Sequence, residues 1–259
     1  MQLSQQFQAA LAAVQFLTRI PVEGGMNRPN ADPKLLRLSI LYFPLVGGLI
    51  GLATGAIIWT ALLLWPPVLA ICLGLTAEAL LTGALHEDAV ADCGDAFGGG
   101  WTRDDILRIL RDSRIGSYGV LALILVVVAR GGCLWAIPAE HLFAIVAAST
   151  ALGRWSMLLL MCLNPPERQR DGLAKAFSQQ INLQDCIVGA LLALPFVAAS
   201  ILVSPFRTAI AVCVVIMLSY CWASFVKRRI GGMTGDCLGC GCYLSQLAFL
   251  LCLTSGPLA

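Results

Sequence analysis

The chain has 259 residues, of which 58% are hydrophobic and only 12% charged, with a mean hydropathy of +0.82. Soluble domains carry about 25% charged residues, so an ordinary water-soluble domain is excluded, and so is a disordered chain, whose composition is the reverse. A formal net charge of +2 is too small for a nucleic-acid binder, which leaves an all-α, polytopic transmembrane helical bundle formed as one integral membrane domain over residues 1–259.

In chain order, residues 1–18 are too polar for a cleavable signal and lack its basic start. Phe7, Leu11, Val14 and Leu17 recur there at helical spacing, which predicts a short N-terminal amphipathic helix, either lying on the cytoplasmic membrane face or packed on the protein surface. Leu38 to Ala77 is free of charge and broken by Pro66-Pro67, so it reads as two passes with a tight turn. Runs of about 20 apolar residues predict about seven spans, at 41–63, 67–85, 116–137, 141–163, 186–203, 207–225 and 238–255. These runs are too long and too evenly apolar for alternating barrel strands. Gly47, Gly51 and Gly55, four apart in the first span, predict close helix packing.

Lys and Arg in short loops set orientation. Alternating the loops gathers 14 of the 17 basic residues on the side of the N-terminus and leaves Arg207 on the other, with Arg130 and Arg154 inside spans. The N-terminus and the loops 86–115, 164–185 and 226–237 are therefore expected on the cytoplasmic side. The 11 cysteines read as small packing residues; a zinc site from Cys93, Cys237, Cys240 and Cys242 is disfavoured by irregular spacing and the lack of a nearby histidine.

Chemistry concentrates in residues 86–119, HEDAVADCGDAFGGGWTRDDILRILRDSRIGSYG. Asp88, Asp92 and Asp95 are spaced i, i+4, i+7 and share one helix stripe within about 60°. Three carboxylates at a membrane surface repel one another, and a divalent cation relieves that; all-oxygen ligands suit Mg2+ or Mn2+. A solvated acidic helix face is the alternative. Glu87 lies about 100° off the stripe and is the weaker ligand candidate. His86 points nearly opposite and is a candidate base or a packed histidine. Gly98, Gly99 and Gly100 permit a hinge, and Arg103, Arg108, Arg111 and Arg114 follow. Guanidinium groups grip phosphate oxygens; Arg111 and Arg114 are the substrate candidates, Arg103 and Arg108 the membrane anchors. Lys175 in DGLAK and Asp236 in GGMTGDCLG sit in two further loops that close the site. Arg154, within a span, points either into the same cavity or toward a structural partner such as Glu78.

HEDAVADCGDAFGGG with RDSRIGSYG resembles cobalamin synthase, the adenosylcobinamide-GDP ribazoletransferase family, and LTRIPV, FPLVGGLIG, LTGALHED and GGMTGDCLG extend the likeness along nearly the whole chain. It departs from the family pattern at Ala89, Cys93, Cys237, Cys240 and Tyr243. The resemblance implies that α-ribazole, or its 5′-phosphate, joins adenosylcobinamide-GDP with release of GMP, in a Mg2+-dependent reaction on the cytoplasmic side of the bacterial cytoplasmic (inner) membrane. On that reading Asp88, Asp92 and Asp95 hold Mg2+, Arg111 and Arg114 balance the diphosphate, and an aspartate or His86 takes the ribose hydroxyl proton. The partners implied are the nucleotide-activated corrinoid, α-ribazole and membrane lipid; no nucleic acid is expected and a homo-oligomer is left open. Two alternatives stand beside it: a CDP-alcohol-type membrane phosphotransferase, whose usual Ala-Arg element is missing here, and a transporter for divalent cations or a corrinoid.

Overall fold

In the computed structural model, residues 2–22, 33–164 and 181–256 are described. Among them the helices are α1 (Gln2–Leu17), α2 (Pro33–Leu41), α3 (Phe43–Leu62), α4 (Pro67–Thr82), α5 (Leu85–Gly99), α6 (Arg103–Ile109), α7 (Ser117–Ala136), α8 (Leu142–Leu163), α9 (Leu183–Val203), α10 (Pro205–Ile230) and α11 (Gly235–Leu253). No strand occurs among the described residues. Prolines open α4 and α10, where a missing N–H costs nothing and φ is already helical.

Six helices (α3, α7, α8 with the short turn before it, α9, α10 and α11) are long and apolar enough to cross a bilayer. The seventh expected pass, 67–85, differs from its sequence reading. Its helix α4 stops at Thr82, and the chain turns by 89° before continuing as α5. The bend sits on two successive residues in the left-handed region, Gly83 (φ 69°) and Ala84 (φ 55°). Left-handed backbone costs an alanine about 1–2 kcal/mol, so the surroundings must hold Ala84 there. The segment after α1 helps: the Arg19 N–H donates to the Leu81 carbonyl at 2.7 Å, and the Arg19 side chain fills the space over Gly83.

Helix α8 is the hub, packed against α3, α9, α10 and α11. The expected glycine stripe explains the α3 contact. A methyl on Gly47 or Gly51 would run into the Thr150 carbonyl and Arg154, or into Thr150 and the α8 backbone at Ala147. Helix α1 packs on α2 and α3. It does so through Ala9, Ala12, Ala13 and Leu17 and a Phe16–Phe43 stack, while Phe7 is 65% exposed. The buried stripe is therefore narrower and smaller in side-chain size than Phe7, Leu11, Val14 and Leu17 would have made it.

Candidate active site

Helix α5 carries the acidic segment and is sandwiched between α7 and α11. His86, Ala89, Cys93 and Ala96 are buried, and the first two face α11 across Gly239 and Cys242, where a larger residue than glycine would strike Ala89. Gly94 and Gly98 face Tyr118, Gly119 and Ala122 of α7. Asp88 is left exposed, with Asp92 half-buried one turn on.

The three expected ligands do not share one environment. Asp95 Oδ2 accepts the Gly116 N–H at 2.6 Å, and Oδ1 accepts the Gly119 N–H at 2.8 Å. Gly116 is the N-cap residue of α7, so Asp95 satisfies orphan amides at the start of another helix and places negative charge on its positive end. Among the described residues no group of three or more His, Cys, Asp or Glu is arranged to hold a metal ion. Asp95 is thus a helix anchor by geometry, because its oxygens are drawn to amides on α7. Asp88 and Asp92 keep the face expected of them. That donor set still fits Mg2+, which is held by one or two carboxylates plus substrate phosphate oxygens and water rather than by a closed protein cage.

Glu87, off the stripe as expected, turns toward α7, where its carboxylate lies 3.9 Å from Arg130 Nη1. This separates it from the aspartates as a ligand. His86 is buried on the opposite side of α5, with Nε2 3.7 Å from Cys242 Sγ and no hydrogen-bond partner for Nδ1. The half-turn offset that the sequence shows between His86 and Asp88 keeps this imidazole away from the acidic face, against a role as base there. The buried cysteines Cys93, Cys237 and Cys240 join the hydrophobic cluster between α5 and α11, and all 11 thiols are free.

The connection from α5 to α7 carries the arginines. Thr102 and Asp105 form a reciprocal cap at the start of α6, and the Thr102 hydroxyl holds the Asp105 carboxyl below its ordinary range. Arg103 Nε donates to the Ile230 carbonyl at the end of α10, and Arg229 donates to the Gly100 carbonyl at the end of α5. These two arginines tie helix ends together. Arg114 grips Asp112 through Nε and Nη2 at 2.9 and 2.6 Å. That hydrogen bonding pulls the Asp112 carboxyl down to about 2 and raises Arg114. Arg111 is exposed. Because Gly116 is bonded to Asp95, the stretch Arg111–Arg114 is delivered to the end of the acidic stripe.

Arg154 is buried in α8 against Gly47, and its Nε and Nη1 have no hydrogen-bond partner. The structural partner considered for it, Glu78, is taken instead by Arg130, whose Nη2 lies 2.8 and 2.7 Å from the two carboxylate oxygens. The sequence marks Arg130 only by its charge within a span, the same intramembrane signal that Arg154 carries. Asp236 sits half-buried in the first turn of α11, whose N-cap is Thr234. Lys175 lies outside the described residues.

With this geometry in view, a family model described as cobalamin-5-phosphate synthase matches residues 9–254. The chain belongs to the cobalamin-5-phosphate synthase family. Relatives named adenosylcobinamide-GDP ribazoletransferase include one from Ralstonia nicotianae, 37% identical over 92% of this chain and 90% of the relative. Another from Klebsiella pneumoniae subsp. pneumoniae is 38% identical over 93% and 97%, and one from Azorhizobium caulinodans is 38% identical over 93% and 92%. No solved structure matches. Membership of the cobalamin-5-phosphate synthase family favours the corrinoid reading over the lipid-acceptor and transporter alternatives.

Proposed function

We infer that this chain, like the relatives so named, is an adenosylcobinamide-GDP ribazoletransferase. It joins the activated corrinoid to α-ribazole or its 5′-phosphate and releases GMP, at the end of cobalamin synthesis. Supporting this are family membership across residues 9–254 and one observation of geometry: Asp88 and Asp92 share the open face of α5, at the end of which Asp95 fixes the Arg111–Arg114 stretch. Asp88 and Asp92 would hold Mg2+, which when bound supplies Lewis-acid charge stabilisation at a diphosphate. Arg111, exposed and uncommitted to Asp112, meets the substrate phosphates; Arg114 joins it by releasing Asp112, a surface pair of low cost to open. Whichever of the two aspartates is less engaged by the cation accepts the proton of the attacking ribose hydroxyl. Lys175, Arg154 and Asp236 are the further substrate-side candidates, of which Arg154 has buried donors to offer an anion. The excess of Lys and Arg on one side of the spans supports a cytoplasmic position for this face, and the family reading puts the protein at the bacterial inner membrane.

The decisive assay is GMP release by purified protein in nanodiscs, with adenosylcobinamide-GDP and each ribazole form. Activity is expected to vanish with EDTA and return with Mg2+, and Asp88→Asn and Asp92→Asn are each expected to lower turnover about 100-fold or more. Near wild-type turnover in Asp88→Asn, or full activity in EDTA, rejects the metal assignment.

A further inference from the structure

The bend between α4 and α5 has carboxylates on both of its flanks. Glu78 lies one turn before it and Glu87 one turn after it, and both face the guanidinium of Arg130 on α7. Arg130 is 1% exposed and fully enclosed by protein. Its Nη2 binds both oxygens of Glu78, its Nη1 lies 3.9 Å from Glu87, and its guanidinium carbon sits 5.5 Å from the centre of the Tyr243 ring on α11. The Thr54 hydroxyl on α3 donates to Glu78 at 2.8 Å, completing that carboxylate's partners. Five helices thus meet around the Arg130–Glu78 pair. Without Arg130, Glu78 and Glu87 would confront each other as two carboxylates across the bend.

Helix α5 therefore has two tethers to α7. One is Asp95 on the Gly116 and Gly119 amides, and the other is Glu87 on Arg130. Asp88 and Asp92 lie between them. Glycine at Gly94 and Gly98 keeps the two helices in close contact there, so the tethers act on a rigid face. A rotation of α5 about its axis would carry Asp88 and Asp92 off the open face; near Asp88 the ion pair at Glu87 resists it on the α7 side, and the packing of His86 and Ala89 resists it on the α11 side.

We propose that Arg130 is a positioning residue for the transfer reaction: by holding Glu78 and Glu87 together across the bend, it fixes the rotation and tilt of the helix that presents Asp88 and Asp92. This rests on the assignment of those two aspartates to the reacting diphosphate. Arg130 touches no substrate, and its effect reaches the chemistry only through α5. Misplacement of reacting groups by about 1 Å costs rate steeply while binding contacts elsewhere on the substrate survive.

The test uses the full chain in nanodiscs and compares Arg130→Lys, Glu87→Gln, their combination, and the paired change Glu78→Gln with Arg130→Gln. Lysine keeps the charge but lacks the planar fork that spans two carboxylates. The paired change removes the fully buried Arg130–Glu78 pair as a unit and leaves only Glu87, which is partly exposed, without Arg130. Expected for Arg130→Lys and for the paired variant is a fall in kcat of about tenfold or more with KM for adenosylcobinamide-GDP within about twofold, at an unchanged thermal midpoint for the paired variant. The combination of Arg130→Lys with Glu87→Gln is expected to be no slower than the slower single variant, since both cut the same tether. A kcat within about twofold of the unaltered protein in Arg130→Lys and the paired variant, or multiplying effects in the combination, overturns the proposal. Asp88→Asn run in parallel separates the two claims: its full activity overturns the aspartate reading, whereas its loss beside fully active Arg130 variants overturns the tether alone.

Discussion

The bundle interior and the α6–α7 connection each hold an arginine–aspartate or arginine–glutamate pair of almost the same length. Arg130 and Glu78 approach to 2.7 Å, and Arg114 and Asp112 to 2.6 Å. Their surroundings are opposite: the first pair is 1% and 3% exposed, the second 87% and 32%. A short distance therefore says little about worth. In the interior, water cannot replace a lost partner, so each charge makes the other necessary. At the surface, water and salt substitute at once, and the pair is free to open toward a ligand.

The largest expected effect tests the interior half of that contrast. Arg130→Met leaves Glu78 buried and unmatched and is expected to destabilise the protein by about 3–5 kcal/mol, read as a drop in folded yield and in the midpoint of unfolding in mixed micelles. A loss no larger than that of Asp112→Asn would erase the distinction. Next is Asp95→Ala, which strips acceptors from two backbone amides at the start of α7. A cost of about 1–3 kcal/mol is expected, with faster hydrogen exchange at Gly116 and Gly119 and partial recovery in Asp95→Asn. Gly119→Ala is expected to cost a comparable or smaller amount, about 1–3 kcal/mol, because the new methyl would fall on the Asp95 carboxylate and the Ala91 carbonyl.

Smallest is Asp112→Asn. Its carboxyl is held down at about 2 by Arg114, so its contribution is present above the ordinary aspartate range and fades as pH falls through about 2. At neutral pH the thermal midpoint of Asp112→Asn is expected to match the parent in high salt, and any difference at low salt is expected to shrink as pH is lowered below 4, a limit set by the ordinary aspartate value of about 3.9.

What the sequence showed and what it concealed divide along the same physical line. Apolar run lengths depend on the solvent alone, so six spans were readable from residues such as Leu183–Val203 and Gly235–Leu253. The helical spacing of Asp88 and Asp92 was readable because the period of a helix is local. The bend at Gly83 and Ala84 was not, since left-handed backbone at an alanine depends on what covers it, here Arg19 and the anchoring of α5 to α7. The role of Asp95 was hidden because its partners are backbone amides 21 and 24 residues further along, and amides leave no mark in a side-chain pattern. Glu78 offered two intramembrane arginines as partners, and only packing selects Arg130 over Arg154.

The bond from Asp95 to the first turn of α7 also orders events during synthesis. Asp95 leaves the ribosome well before Gly116 and Gly119, so until they follow, the carboxylate has no amides to meet. When they arrive, the acidic helix and the next span close as a hairpin with α6 as its connector. A chain that ends before residue 116 lacks both of the amides that Asp95 binds.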